Sequence, residues 1–410
     1  MAEAALNPNH QNGHKYAHPL SEENNPAPRG TGPLWPEEVM TGAAGRFAQT
    51  YINHLETPAS FLFMGYLTFL GHIISNKITL QSELVPRPRL YTVLLGESAD
   101  TRKSTAINKC FEFFRETVER EINPVEGVGS AEGLTKFLER HKQVILIQDE
   151  LQALVQKCLI DGSALLHCIT SLFEKDSYQN ETSSKSLIVN GGHLSILAAS
   201  TLDTYETMFK AQFMNIGFLN RLFLVIGGGG RKFAIPRCVP SAFRDPLIND
   251  LKTVLGFAND LARTGCFALP ITPEAEMIFS EWYHSAQKSV FSKRLDTYGH
   301  RLMILLAVNE QKERITPEVA NKTVALLRYQ LEARQLADPI QADTKIAAVE
   351  EKIRRLLAAN GGMKKRDLEQ RGHKNRVGTY LWDCAIKNLE RAGEIGFLRK
   401  ENKYVWNRGD

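Results

Sequence analysis

The sequence has little of what marks secreted, membrane-spanning or zinc-binding proteins. Its six cysteines are scattered along 410 residues without a Cys-x-x-Cys pair, which predicts reduced thiols and neither a disulfide framework nor a zinc site. The longest apolar run, residues 61–74, is interrupted by polar side chains and is too short to cross a bilayer. The N-terminal segment lacks the charged and then apolar layout of a signal peptide. We therefore expect a cytoplasmic protein without a membrane partner.

The chain also has little excess of charge of one sign, since the formal net charge is only +4 at pH 7. The excess is concentrated at the C-terminal end, where residues 344–410 carry 16 Lys and Arg against 9 Asp and Glu, a net +7. A basic C-terminal part on a slightly acidic body predicts a polyanionic partner for that part.

The stretch with the most chemical information is RLYTVLLGESADTRKST, residues 89–105. A run of β-branched and aromatic residues predicts a buried strand, small polar residues follow, and helical spacing of apolar residues comes next. Strand, small-residue loop, Lys-Ser and helix is the layout of a phosphate-binding loop, in which backbone N–H groups and the helix N-terminus face phosphates and the lysine neutralises their charge. The predicted nucleotide-binding residues of this loop are Gly96, Ser98, Arg102, Lys103, Ser104 and Thr105.

The loop departs from the usual pattern in three respects. Lys103 stands one position later after Gly96 than the usual spacing allows. Arg102 occupies the position that glycine normally takes before the lysine, so we expect a different backbone path there. Asp100 adds a negative charge near the predicted phosphates. The alternative interpretation is an ordinary strand–loop–helix corner with a basic cap.

A second motif, VILIQDE at residues 144–150, is an apolar strand that ends in two acids. Placed after a phosphate-binding loop, it is typical of a Walker B element. Asp149 is predicted to hold Mg²⁺ through water, with the Ser104 hydroxyl as a magnesium ligand, and Glu150 is predicted to polarise the attacking water. The alternative is a strand that ends in a solvated acidic turn.

A hairpin is predicted from residues 183–189 and 193–201, joined by an Asn-Gly turn at residues 190–192. Its second arm is apolar and ends in Ser200 and Thr201. P-loop ATPases place a polar sensor of the γ-phosphate or the lytic water at the tip of the strand beside Walker B, so Ser200 is predicted to be catalytic. The alternative is that these hydroxyls cap the next helix.

Two arginines complete the predicted catalytic set. Arg221 lies immediately before an apolar strand, where we expect it to project from the subunit edge into a neighbour's nucleotide as an arginine finger. Arg301 opens an apolar helix, where it fits a second sensor that reaches the γ-phosphate. The alternatives are a surface salt bridge for Arg221 and an exposed helical position for Arg301.

The C-terminal part is predicted to form three helices, residues 346–359, 364–370 and 377–392, followed by a ribbon of two strands, residues 395–400 and 403–406. Three helices and a ribbon make a winged helix, which contacts DNA in many proteins and docks proteins in others. The predicted DNA-binding residues are Lys364, Lys365, Arg366, Lys374, Arg376, Arg399, Lys400 and Lys403.

The order of these motifs resembles that of the AAA+ helicases of the minichromosome-maintenance type. It is closer still to the P-loop ATPases and helicases of phage, plasmid and genomic-island replication, a primase-associated helicase family of unknown function. The resemblance covers residues 47–334 and rests on RLYTVLLGESADTRKST, VILIQDEL, GFLNRLFLV and ITPEAEMIFSEWY with YGHRLMILLAV. In that family a departure of the Arg102-Lys103-Ser104 kind is familiar. The chain carries no primase signature of its own.

The resemblance implies roles for individual residues. Lys103, Ser104, Asp149 and Glu150 would be catalytic, with Arg221 acting in the neighbouring subunit. The hairpin would face a central channel, where Lys185 and His193 would contact a DNA strand.

We expect an α/β protein with a P-loop (AAA+/ASCE) core and a C-terminal winged helix. The predicted divisions are a disordered tail (1–33), an N-terminal helical segment (34–80), the ATPase core (81–232), a helical lid (233–340) and the winged helix (341–410).

The predicted function is that of an ATP- and Mg²⁺-dependent DNA helicase or translocase that acts in replication initiation of a mobile element. It would form a homo-hexameric ring with ATP at subunit interfaces, single-stranded DNA in the channel and duplex at the winged helix. One alternative is a non-unwinding ATP switch, such as a helicase loader or transposition regulator that assembles on DNA. Another is a DNA-binding structural protein with a degenerate phosphate loop.

Overall fold

The computed structural model describes residues 33–97, 101–118, 121–181, 186–230, 232–340 and 345–407. Residues 1–32 of the predicted tail, together with Ser98 and Lys185, lie outside the described residues. The chain divides into two units, residues 1–31 and 32–410, and everything below concerns the second. No helix within the described ranges is both long and apolar enough to cross a membrane.

A five-stranded parallel sheet forms the centre of the fold, with strands and helices numbered in chain order. Across the sheet the strands are β3 (Pro124–Val125), β4 (Gln143–Gln148), β7 (His193–Ser200), β2 (Tyr91–Leu95) and β8 (Phe223–Ile226). Every neighbouring pair is parallel. The predicted α/β class is therefore confirmed. A separate two-stranded sheet is formed by β1 (Ile78–Leu80), which pairs in parallel with β9 (Phe267–Leu269).

Twelve of the helices described surround the sheet. They are α1 (Gly42–Ile52), α2 (Ala59–Ile74), α3 (Lys103–Val118), α4 (Ala131–His141), α5 (Leu151–Cys158), α6 (Leu165–Glu174), α7 (Leu202–Met208), α8 (Ala211–Asn215), α9 (Ser241–Leu261), α10 (Pro273–Ser285), α11 (Leu295–Asn309) and α12 (Pro317–Leu336). In α2, 15 of 16 residues are buried, as expected of a helix that is apolar on all sides. One hydrophobic core extends from Val39 to Ala337, so the predicted N-terminal segment, ATPase core and lid share it.

The predicted hairpin is wrong in its pairing. The antiparallel pair is β5 (Ser177–Glu181) with β6 (Ser186–Asn190), whereas β7 enters the parallel sheet between β4 and β2. All eight residues of β7 are buried, and a continuous apolar strand of this kind belongs to the interior of a parallel sheet. The Asn-Gly turn redirects the chain from one sheet to the other, with the Gly192 N–H donating to the Asp176 carbonyl at 2.7 Å.

Residues 345–407, here called the C-terminal module, have a hydrophobic core of their own that includes Ile353, Leu368 and Trp382. The elements are α13 (Lys345–Asn360), β10 (Met363–Lys364), α14 (Lys365–Arg371), α15 (Lys374–Val377), α16 (Thr379–Arg391), β11 (Ile395–Leu398) and β12 (Lys403–Trp406). The predicted helices and ribbon are present. Two short elements were not predicted: α15, and β10, which adds a third antiparallel strand beside β12.

Asp203, on α7, joins the C-terminal module to the rest of the fold. Its carboxylate accepts a hydrogen bond from Lys352 Nζ at 2.6 Å and lies 3.0 Å from His373 Nε2. A second ion pair, Arg355 with Asp338 at 3.2 Å, lies at the start of the module. Charged contacts between partly exposed side chains therefore hold the module in place.

The first prediction concerns Asp203→Asn. The amide keeps the shape but loses the charge, so we expect faster amide hydrogen exchange in α13 and α15, with a loss of about 1 kcal/mol or less because partly exposed ion pairs are weak. Asp260→Asn is the matched control, since Asp260, near the end of α9, pairs with Arg263 just beyond it and both are exposed. Equal exchange in the C-terminal module of Asp203→Asn and wild type would contradict the docking role.

Candidate functional site

The carboxyl ends of three neighbouring strands meet at one edge of the parallel sheet. Leu95, at the end of β2, pairs with Ser200, at the end of β7, and Gln148, at the end of β4, pairs with Ala198. The strand ends are therefore level to within two residues of the register. Since parallel strands leave a sheet at the same edge, the segments that follow them converge there, which is where open α/β sheets bind ligands.

Lys103 is the first residue of α3 and lies at this edge. Its ammonium donates hydrogen bonds to the carbonyls of Gly96 at 3.0 Å and Glu97 at 2.9 Å, and it lies 3.3 Å from Thr101 Oγ1. Burial lowers the pKa of Lys103, and the carboxylates of Glu150 and Glu97 oppose that shift. The lysine from the phosphate-loop motif and the glutamate from the acidic motif therefore act on each other electrostatically.

Gly96 makes a turn that leaves no room for a side chain. A Cβ at this position would lie 2.5 Å from Thr101 Oγ1. The Thr101 hydroxyl donates to the Glu97 carbonyl at 2.9 Å, and the Gly96 N–H donates to the Ser200 carbonyl at 3.4 Å. Thr101, which is buried, is thus a residue that shapes the loop and that the motif did not identify.

Arg102 adopts φ 49°, in the left-handed region that favours glycine. Arg102 therefore adopts a backbone conformation that glycine, the usual residue at this position of the motif, adopts without strain. Its guanidinium donates to the Glu56 carboxylate, from Nη2 at 3.1 Å and from Nε at 3.3 Å. The guanidinium is partly exposed at the N-terminus of α3.

Asp149 and Glu150 follow β4 and are both exposed. Glu150 is the N-cap residue of α5, yet its side chain makes no capping hydrogen bond. Among the described residues, no group of three or more His, Cys, Asp or Glu could hold a metal ion by itself. The Ser104 hydroxyl and the Asp149 carboxylate are hard oxygen donors. They suit Mg²⁺, which typically takes one or two carboxylates together with substrate phosphates and water.

Ser200 and Thr201 are the residues for which the sequence left two roles open, a sensor at the strand end and a cap of the next helix. The Thr201 hydroxyl accepts a hydrogen bond from the Thr204 N–H at 3.1 Å and caps α7, as the capping alternative predicts. The Ser200 hydroxyl is buried and has no hydrogen-bond partner among the described residues. Because an unpaired buried hydroxyl costs about 1–3 kcal/mol, Ser200 suits a site whose ligand supplies the partner.

Glu56 is a component of this edge that sequence reasoning missed. Its side chain is only 5% exposed. Besides Arg102, it accepts the backbone N–H groups of Lys232 at 2.7 Å and Phe233 at 2.8 Å, which lower its pKa most, ahead of Arg102. No local pattern could reveal it, because its partners are far away in the chain and only folding brings them together.

The arginine-finger prediction for Arg221 is wrong in its geometry. The side chain is buried, and Nη1 donates to the carbonyls of Ile216 at 3.0 Å and Gly217 at 2.8 Å. Arg221 ends a 3₁₀ turn, so its guanidinium satisfies carbonyls of the preceding turn instead of projecting from the surface. The alternative of a surface salt bridge is confirmed in the ion pair, since Arg221 Nε lies 3.7 Å from Glu174 Oε1, and is wrong in the exposure, since the arginine is buried.

Both predictions for Arg301 are also wrong. It is buried within α11, donates to the carbonyls of Arg89 at 2.9 Å and Phe173 at 2.5 Å, and lies 3.8 Å over the Phe173 ring. Arg89 precedes β2, so Arg301 lies at the amino edge of the sheet, away from Lys103 at the carboxyl edge. Burial lowers the pKa of Arg301 to about 9.

His193 is not available to contact a DNA strand. It begins β7 at the amino edge, is buried, and its Nδ1 lies 2.8 Å from Arg89 Nη1 and 3.2 Å from Ser75 Oγ. Burial and the adjacent Arg89 lower the pKa of His193 to about 4, with Asp176 opposing the shift. The predicted channel contact is therefore wrong for His193.

The predicted DNA-binding residues of the C-terminal module are mostly accessible. The exposed ones are Lys364, Lys365, Arg366, Arg399 and Lys400. Lys364 pairs with the half-buried Lys403 across β10 and β12, and both line an open groove. Lys374 is held by Glu369 at 3.0 Å and Asp383 at 3.3 Å, and the Arg376 side chain lies outside what the structure describes.

The structure thus brings Gly96, Lys103, Glu150 and Ser200 to one edge and removes Arg221, Arg301 and His193 from solvent. Comparison with models of known protein families gives no match, and no curated protein matches the chain. No relative therefore assigns a role to these residues.

The second prediction follows from the neutral His193. Its pKa is about 4 in the folded chain and about 6.5 when unfolded, so the unfolded chain binds more protons between these values. The contribution of His193 to the free energy of unfolding is complete above about pH 6.5. It falls as the pH drops towards 4, by up to about 1.4 kcal/mol per pH unit for this one group. Denaturant titrations of wild type should show this extra slope, and those of His193→Gln should lack it.

The exposed His284 on α10 provides the control, since His284→Gln should keep the wild-type slope. An identical pH slope for His193→Gln and wild type would show that His193 is not buried as a neutral group.

Proposed function

We propose that the carboxyl edge of the sheet binds ATP and hydrolyses it. The observation that carries this proposal is the convergence of three groups at neighbouring strand ends. These are the Lys103 ammonium at the N-terminus of α3, the exposed Glu150 carboxylate that acts on it, and the buried Ser200 hydroxyl, to which no described residue is hydrogen-bonded.

Binding would use groups that are already in place. The N-terminus of α3 presents free N–H groups and a partial positive charge to a phosphate. The Lys103 ammonium, now bound to the carbonyls of Gly96 and Glu97, would turn to the phosphate oxygens, which compete well for a partly buried cation. Ser104 and Asp149 would hold Mg²⁺, which would neutralise phosphate charge.

Hydrolysis would rest on Glu150 and Ser200. Glu150 would orient the attacking water and accept its proton as the bond from phosphorus to that water oxygen forms and the bond to the ADP oxygen breaks. Ser200 would donate a hydrogen bond to the γ-phosphate or to the water, which would satisfy its buried hydroxyl. The products are ADP and inorganic phosphate.

The C-terminal module would supply the DNA contact. Its helices and three-stranded sheet support the winged-helix prediction, and its exposed lysines and arginines suit phosphate contacts. With an ATPase on the same chain, we propose a helicase or translocase that acts in replication initiation of a mobile element as a homo-hexamer. The hexamer and the mobile element rest on the resemblance in motif order.

A second candidate, the non-unwinding ATP switch, is favoured by specific contacts. In a ring, Arg221 would contact a neighbour's ATP and His193 would contact DNA, but both residues are buried. By contrast, Asp203, which holds the C-terminal module, lies three residues after Ser200 on the helix that follows it. A signal could therefore pass from the ATP site to the C-terminal module within one chain.

The third prediction tests the ATP site. Lys103→Ala removes the phosphate cation and should weaken binding of a fluorescent ATP analogue by about tenfold or more. Glu150→Gln keeps binding but should lower the rate of phosphate release by about 10²–10⁴, because the amide cannot accept the proton. Lys109→Ala is the matched control, since Lys109 lies on the same helix in an exposed ion pair with Glu112. Unchanged binding and turnover in both test variants would exclude ATP hydrolysis at this edge.

The fourth prediction separates the two functions. A helicase displaces the labelled strand of a forked duplex when ATP and Mg²⁺ are present, and Glu150→Gln should abolish that displacement. A protein that hydrolyses ATP faster with DNA but displaces no strand is the switch. The same forked duplex without ATP is the control for passive melting.

A further inference from the structure

Glu56 joins two chain segments that leave the carboxyl edge of the sheet. Oε2 accepts the Arg102 guanidinium, in the segment after β2, and Oε1 accepts the Lys232 and Phe233 N–H groups, in the segment after β8. β2 and β8 are neighbours, with Leu95 paired to Ile226. One buried carboxylate therefore fixes both segments beside the proposed ATP site.

We infer that Glu56 is a positioning residue of the ATP site, which acts by holding Arg102 in the left-handed conformation that sets the start of α3 and the place of Lys103. This inference rests on the proposed ATPase function. It concerns a residue 46 positions away from Arg102, on the segment before α2.

The backbone of Arg102 needs such support. A non-glycine residue with φ 49° is strained, by about 1–2 kcal/mol for a typical L-residue. The Arg102 carbonyl accepts the Ala106 N–H at 3.0 Å, a hydrogen bond of the first turn of α3. If Arg102 relaxed, that bond and the first turn would shift, and Lys103 would move with them. The ion pair with Glu56 opposes this relaxation.

The carboxylate can do this because all its bonds come from donors. Two backbone N–H groups and one guanidinium surround it, so its charge is compensated although the side chain is only 5% exposed. A glutamine has a single oxygen acceptor and would face one of these donors with an N–H group. Glu56→Gln therefore breaks the link between the two segments with little change of volume.

The experiment measures the affinity for a fluorescent ATP analogue with Mg²⁺ and the KM and kcat of hydrolysis. Glu56→Gln and Arg102→Ala should each weaken binding about tenfold, the loss expected for a charge-assisted hydrogen bond, and raise KM with kcat within about twofold. Arg102→Gly should bind more tightly than Arg102→Ala, since both lack the guanidinium but only glycine adopts the left-handed conformation without strain.

The double variant Glu56→Gln with Arg102→Gly decides between positioning and mere structural support. If Glu56 acts through Arg102, adding Glu56→Gln to the Arg102→Gly variant should lower the affinity for the ATP analogue by less than about twofold. The inference is overturned if Glu56→Gln lowers the affinity equally in the wild-type and Arg102→Gly chains, or if it does not lower the affinity of the wild-type chain at all. If Glu56→Gln does not fold, the contrast between Arg102→Ala and Arg102→Gly still tests it, and equal affinities there overturn it. A wild-type chain that binds no analogue refutes the proposed ATPase itself, and the inference falls with it.

Discussion

The insertion of β7 between β2 and β4 is the constraint on which the site depends. Because β7 runs parallel to both neighbours, Ser200 ends level with Leu95, and the acids after β4 lie at the same edge. Eight buried residues make any other placement of β7 costly, since a strand outside the sheet interior would expose them to water. Had β7 paired with β6 as a hairpin, Ser200 would have left this edge. The meeting of Lys103, Glu150 and Ser200 is therefore a consequence of sheet order.

The two edges of the sheet use charge in opposite ways. At the amino edge, Arg89, Arg301 and Arg334 are buried, and they donate to backbone carbonyls. Burying a cation is expensive unless its donors are satisfied, so these residues fix α6, α11 and α12 to the sheet and leave little freedom for ligands. At the carboxyl edge, Arg102 remains about half exposed and Asp149 and Glu150 face solvent. The division leaves exposed charged side chains at the carboxyl edge and places buried, hydrogen-bonded arginines at the amino edge.

Sequence patterns predicted the parts of this protein that are governed by local chemistry. Buried strands, the apolar α2, the Lys-Ser helix start and the C-terminal ribbon all follow from periodicity and turn residues within a few positions. The failures concern side chains whose partners lie far away in the chain. The position of the Arg301 side chain is set by the carbonyls of Arg89 and Phe173. That of Glu56 is set by Arg102 and Phe233. No local stretch of sequence contains these contacts. The hairpin failed because an Asn-Gly turn fixes a reversal but not the sheet that each arm joins.

The most direct test is an experimental structure of the full chain with Mg²⁺ and a nonhydrolysable ATP analogue. The phosphates should lie over the N-terminus of α3, with the Lys103 ammonium moved from the Gly96 and Glu97 carbonyls to phosphate oxygens and the Ser200 hydroxyl bonded to the γ-phosphate or to a water beside it. An analogue bound elsewhere, with Lys103 still bonded to those carbonyls, would contradict ATP binding at the carboxyl edge of the sheet.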